Sequence, residues 1–248
     1  MHQFFVSDKQ IGTEYITITG EDVKHIRNVL RMKPGEEIRI SNGEGADFFC
    51  EITKIHTEAV QAKILDKQAQ DTELPGRIFL FQAIPKGERM EYVIQKAVEL
   101  GVHEIIPVEM KYCVVKLDEK KKEKRCVRWQ AIAESAAKQA KRSRIPRIHP
   151  IMKYSDAVAY ARECEVCLVP YENERGMAGT REILQRLEPG RDISVIIGPE
   201  GGFAQEEIEM VRNDMEVLSL GKRILRTDTA AITVMSMLML ALEMKAES

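Results

Sequence analysis

The chain has 248 residues, 44% of them hydrophobic and 31% charged, with 37 Lys and Arg against 39 Asp and Glu for a net charge of −2. This balance excludes a disordered chain, which is poorer in apolar residues, and it provides for a substantial buried core. The charge is unevenly placed: residues 116–147 hold twelve Lys or Arg and four Asp or Glu, a local +8 that leaves −10 for the remainder. A polyanion can dock on such a stretch, although a solvated helix face has the same composition.

The length exceeds the usual single domain, so a small domain joined to a larger one is expected, divided as 1–72 and 73–248. Five cysteines without framework spacing predict free thiols in a reducing, cytoplasmic setting, and no secretory leader opens the sequence. Cys164 and Cys167 form a CxxC, but no second pair or His pair stands at metal-ligand spacing, so no metal is expected, and the stretch Glu165 to Val169 reads as a buried strand. The longest uncharged apolar run, Thr229 to Leu242, is fourteen residues, short of the roughly twenty that span a bilayer, and predicts a core helix.

In chain order, Thr19 is the expected cap of a first helix carrying Val23, Ile26 and Leu30, which Pro34 and Gly35 stop. Strands follow at Glu37 to Ser41, Phe48 to Ile55 and Ala59 to Leu65, with Asn42 and Gly43 turning the first into the second. A small β-barrel is the economical fold for this part, and Asp66 to Gly76 reads as a linker. The pattern then changes to an apolar strand at Ile78 to Ala83 and a helix from about Glu88 to Leu100, capped by Gly101. Further buried strands at Glu104 to Val108, Glu165 to Pro170, Ile193 to Gly198 and Val217 to Leu220 alternate with helical segments. Together they predict an α/β domain with a mostly parallel sheet.

Two segments carry the chemistry. In ISVIIGPEGGFAQEEIEMV a buried strand runs into Gly198, Pro199, Glu200, Gly201, Gly202 and Phe203 and then an acidic helix start. Glycines permit positive φ and close backbone approach, and a helix N-terminus leaves amide donors for a ligand; a plain tight turn is the alternative. In LSLGKRILRTDTAAITVMSML a short strand ends at Leu220, and Lys222, Arg223 and Arg226 precede an almost uncharged helix. Cations beside a core call for a ligand or a polar partner, and an Arg226–Asp228 ion pair is the structural alternative. Motifs for nucleoside triphosphate, hydrolase and dinucleotide sites are missing. His25 shares its helix with Arg27 and Arg31, a combination suited to an RNA-contacting face and equally to plain surface solubility.

With HIRNVLRMKPG, KGERMEYVIQKAVELGV, AKQAKRSRIPRI, IIGPEGGF and LGKRILRTDTAAI, the chain resembles the bacterial 16S ribosomal RNA uridine N3-methyltransferase family, a branch of the SPOUT superfamily. The resemblance implies an N-terminal PUA-like RNA-binding β-barrel, a SPOUT-type trefoil-knotted α/β methyltransferase domain and a homodimer. It implies S-adenosylmethionine held by Ile197, Gly198, Pro199, Glu200 and Gly201 and by Leu220, Gly221, Ile224, Leu225, Arg226 and Thr227, largely through main-chain atoms. Transfer to uracil N3 requires loss of its proton, so Arg226 is expected to steady the developing charge, with Glu200 or Asp228 as proton acceptor or organiser. His25, Arg27, Arg31, Lys86, Arg142 and Arg144 are the expected contacts to 16S rRNA within the small ribosomal subunit. The sequence departs from the family at Asp228, where Glu is usual, and at Lys141, Arg142 and Ser143, where Ser-Gly-Arg is usual. Action on another RNA site and non-catalytic RNA binding are the rival readings.

Overall fold

The computed structural model describes residues 1–67 and 72–247, so residues 68–71 of the expected linker lie outside the described residues. The chain forms two compact units, residues 1–73 with 137–145 and residues 74–136 with 146–248.

The first unit is built on a five-stranded sheet in the order β1 (His2–Phe5), β3 (Glu37–Ser41), β4 (Asp47–Ile55), β5 (Ala59–Asp66), β2 (Tyr15–Thr19). β1 runs parallel to β3 and the remaining pairs are antiparallel. Alternation sets the core face: Ile16 and Ile18 of β2 are buried while Tyr15, Thr17 and Thr19 are exposed. Asn42 turns β3 into β4 by accepting at Oδ1 from the amides of Glu44 and Ala46, both at 2.9 Å. The expected first helix forms and reaches Leu30, but Gly20 and not Thr19 stands at its cap. α1 (Glu21–Lys24) follows Gly20, widens into a π turn at His25–Val29 and ends at Arg31, whose φ is 54°.

Residues 137–145 are stitched into this unit through main-chain atoms. Gln3 Nε2 donates to the Arg142 carbonyl at 2.7 Å, Ser41 Oγ to the Ser143 carbonyl at 2.8 Å, and the Ile145 amide to Gly43 O at 2.9 Å.

In the second unit every strand pairing is parallel, in the order β12 (Glu216–Leu218), β10 (Val166–Pro170), β11 (Asp192–Ile197), β6 (Arg77–Ala83), β7 (Glu104–Glu109), β8 (Arg147–Ile148), with β9 (Met152–Lys153) also on β7. The strands are apolar because helices cover the sheet. These are α2 (Arg89–Glu99), α3 (Glu119–Gln139), α4 (Tyr154–Ala161), α5 (Ala178–Arg186), α6 (Gln205–Val211) and α7 (Thr227–Ala246). Gly101 ends α2 at φ 88°. By length and composition α7 would suffice to cross a membrane. It packs instead on α2 and β11, burying Ala231, Val234, Met235, Leu238 and Leu242.

Candidate active site

Three neighbouring parallel strands, β12, β10 and β11, end on one side of the second unit, and the loops after them line a cavity of about 420 Å³. Clefts at the carboxyl ends of parallel strands are where such sheets bind ligands, and the volume falls within the range of small-molecule sites. The first segment supplies Ile197, the last residue of β11, with Gly198, Pro199, Glu200 and Gly201. The second supplies Leu220, Gly221, Ile224, Leu225, Arg226 and Thr227, so the two bends, well separated in sequence, form one wall-to-wall site. Asp228, in the first turn of α7, is not among the lining residues, and its Oδ1 is buried with no hydrogen-bond partner among the described residues.

A third wall escapes the sequence reading. Pro170, Tyr171 and Glu172, at the end of β10, also face the cavity. The rule that ligands sit beyond strand ends applies equally to the predicted strand Glu165 to Pro170, but the first glycine after that end, Gly176, comes only six residues on.

The glycines work differently from one another. Only Gly202 of the first bend takes a positive φ, 72°. Gly198 and Gly201 are required by close packing: a Cβ would fall 2.8 Å from the Phe203 ring at the first and 2.8 Å from Tyr112 Cβ at the second. At the start of α6, where amide donors were expected to face a ligand, the first of them is taken up from within the element. The buried Glu207 carboxylate accepts from its own helix start, Ala204 N, at 2.8 Å and from Lys111 N at 2.8 Å.

Glu200 is fixed in place, its Oε1 accepting from Arg89 Nη1 at 2.8 Å and from the Lys86 amide at 3.0 Å. Arg226 lines the cavity as the cap of α7, and no ion pair joins it to Asp228 among the described residues. Arg223 and Arg226 line the cavity and are exposed, as is Lys222 beside them, where a setting next to the core was expected to demand a partner. Thr227 Oγ1 donates to Gly198 O at 2.7 Å, joining the two bends directly.

Of the expected RNA contacts, His25, Arg27, Arg31 and Arg144 are exposed on the first unit and Lys86 is exposed on the second. Arg142 is placed otherwise: it is 3% exposed and its guanidinium is engaged by Glu73. Cys164, in the bend before β10, and Cys167, within it, are free, half-buried thiols whose pKa values burial pushes upward, Cys164 to about 12, away from reactivity. Among the described residues no His, Cys, Asp and Glu cluster could hold a metal ion.

Residues 72–239 match the model of the RNA methyltransferase domain, and residues 18–65 match that of the RNA methyltransferase PUA domain. The ribosomal RNA small subunit methyltransferase E of Bacillus subtilis is 34% identical over 89% of this chain and 88% of its own. The protein of the same name from Buchnera aphidicola is 33% identical over 95% and 93%. Among solved structures, the Neisseria gonorrhoeae ribosomal RNA small subunit methyltransferase E bound to S-adenosyl methionine superposes with a TM-score of 0.82, at 31% identity and 95% coverage of both chains. A Legionella pneumophila methyltransferase with bound S-adenosylmethionine gives 0.84, at 34% identity over 96% of this chain and 97% of its own. A cavity at the ends of parallel strands, lined by the very segments that carry the resemblance, thus coincides with matches over nearly the whole length, and the chain belongs to the ribosomal RNA small subunit methyltransferase E family.

Proposed function

We propose that this protein methylates N3 of a uridine in the 16S rRNA of the small ribosomal subunit, with S-adenosylmethionine as methyl donor. The observation that carries the reading is the convergence of both glycine-bearing bends on one cavity. The residues present fit the donor: the walls offer main-chain groups at close-packed glycines, apolar side chains at Ile197 and Leu225, and carboxylates at Glu172 and Glu200 for a cationic ligand. When bound, the donor supplies an electrophilic methyl group on a sulfonium sulfur.

The chain's own residues orient and polarise. Arg226, at the lip, steadies negative charge spread over the uracil carbonyl oxygens as the N3 proton leaves. Glu200, which lines the cavity, and Asp228, in the first turn of α7, are the candidate proton acceptors or organisers of Arg226. Arg89 and the Lys86 amide hold Glu200 through Oε1. Arg27, Arg31, Arg144, Lys86 and His25 meet RNA phosphates; Arg142 acts through Glu73 on the first unit's interior.

The same reading includes a PUA-like barrel in residues 1–72, a trefoil-knotted SPOUT domain in residues 73–248, a cytoplasmic location and a homodimer. The exposed apolar side chains Leu240 and Met244 of α7 are a surface that a second copy would cover.

Calorimetry with the purified protein is expected to show uptake of S-adenosylmethionine, and no uptake would refute the reading. With saturating donor, Arg226→Ala is expected to lower turnover by about 10²-fold, the size of effect seen when one group facing a developing anion is removed. Wild-type turnover in that variant would remove Arg226 from the chemistry. Mapping the nucleoside that loses methylation when the gene is deleted separates this target from another RNA site.

A further inference from the structure

β6 reads RIFLFQA and occupies the middle of the second unit's sheet, between β11 and β7. Gln82 is the one polar side chain in its buried stretch and is 0% exposed. An amide in such a place is costly unless its hydrogen bonds are made. Its Nε2 lies 2.9 Å from the Ala83 carbonyl and 2.9 Å from Thr227 Oγ1. A carbonyl only accepts, so the nitrogen must face Ala83 O and the orientation of the amide is determined. Both amide protons are then used, while Oε1 has no partner among the described residues.

Thr227 is 5% exposed and carries a single hydroxyl proton. Receiving a proton from Gln82, it gives its own to Gly198 O at 2.7 Å. The bonds form a directed relay from the end of β6, through the first residue of α7, to the bend after β11. Gly198 and Thr227 both line the cavity, one from each bend, and Gln82 does not. Leu or Ile at position 82 would complete an apolar strand without the uncompensated Oε1, so packing alone does not account for the glutamine.

We propose that Gln82 is a positioning residue for the methyl donor: it orients the Thr227 hydroxyl and so sets the separation at which the two bends close on the ligand. The inference rests on the methyltransferase reading and deepens it by naming a group outside the cavity on which donor affinity depends.

The test compares the full-length protein with Gln82→Met, Thr227→Val, Thr227→Ser and the Gln82→Met/Thr227→Val double variant. Donor affinity is measured by calorimetry with S-adenosylmethionine, steady-state constants with small-subunit rRNA, and folding by thermal melting. Gln82→Met and Thr227→Val are each expected to weaken donor binding about tenfold, the order of one buried hydrogen bond. KM for the donor rises accordingly while KM for RNA stays within about twofold, a split that general destabilisation does not produce. Thr227→Ser, which keeps the hydroxyl, should remain within about threefold of wild type. The double variant should lose no more than the weaker single variant, because one relay is removed twice. Wild-type donor affinity in folded Gln82→Met, or fully additive losses, would overturn the proposal. If Gln82→Met does not fold, equal affinities of Thr227→Val and Thr227→Ser overturn it from the cavity side. Failure of the wild-type protein to bind the donor would instead strike the functional reading itself.

Discussion

At the scale of single residues, burial decides which charges matter. Arg39 and Asp47, on neighbouring strands of the first unit, have side chains 5% and 0% exposed and form an ion pair. Asp47→Asn keeps the volume but strands a guanidinium in the interior, so chemical denaturation is expected to show a loss of about 3 kcal/mol or more. Arg77 and Asp192 form the same kind of pair with 57% and 22% exposure, and there the loss should stay below about 1 kcal/mol. Tyr160 shows how burial acts on protons. Its phenol is pushed up to about 12, first by desolvation and then by its hydrogen bond to Glu104 Oε2 at 3.0 Å. An unfolded tyrosine titrates near pH 10, so the folded state holds the proton more tightly. The resulting stability is complete below about pH 10 and is lost as the pH rises toward 12. Tyr160→Phe is expected to flatten the fall in unfolding free energy over that interval, with buried Tyr154, also shifted upward, keeping a residual slope. An unchanged alkaline profile would show that Tyr160 does not contribute.

At the scale of elements, each bend is shaped by what packs against it. Gly198 joins β11 to its loop and sits under the Phe203 ring, which is 8% exposed and meets Tyr171 edge-on at 6.1 Å. An alanine methyl 2.8 Å from that ring forces either the ring or the bend to move, and both line the cavity. Gly198→Ala is therefore expected to weaken S-adenosylmethionine binding by at least about tenfold in calorimetry. Gly179 in α5 is the control: a Cβ there meets nothing within 4 Å, and Gly179→Ala should bind the donor like wild type. Equal affinities for the two variants would deny the first bend its role. α6 is shaped at its own start, where the Glu207 carboxylate accepts from the Ala204 amide.

At the scale of the whole molecule, the basic region divides between functions that its composition does not separate. Lys122 is tied to Glu109 and Glu119, and Arg128 to Glu91. Residues 137–145 are part of the first unit, where Arg142 is committed inward and Arg144 stays exposed. RNA affinity should fall linearly with the logarithm of salt concentration. Replacing Arg27, Arg31, Lys86 or Arg144 by glutamine is expected to reduce that slope by about 0.7–0.9 for each phosphate left without its cation. Arg142→Gln should leave the slope alone and lower the melting temperature, because it releases Glu73 inside the first unit. A slope change at Arg142 equal to that at Arg144 would reverse this division.

Local pattern alone was enough for much of the fold. Alternation identified β3, β4 and β5, apolar runs identified β6, β7, β10, β11 and β12 but not the two-residue strands β8 and β9, and Gly101 marked the end of α2, because these signals arise from interactions within a few residues. The same locality singled out the two bends that line the cavity. Partners distant in the chain were decided only by tertiary structure. Gln82 passes without notice inside the apolar run Ile78 to Ala83, and its partner Thr227, which accepts its hydrogen bond, stands 145 positions later. Arg142 reads as a free cation until Glu73 reaches it, and α6 reads as an open helix start until Glu207 folds back onto Ala204. Hydrophobic periodicity records which face is buried; it does not record which buried polar groups meet, because those partners stand far apart in the chain.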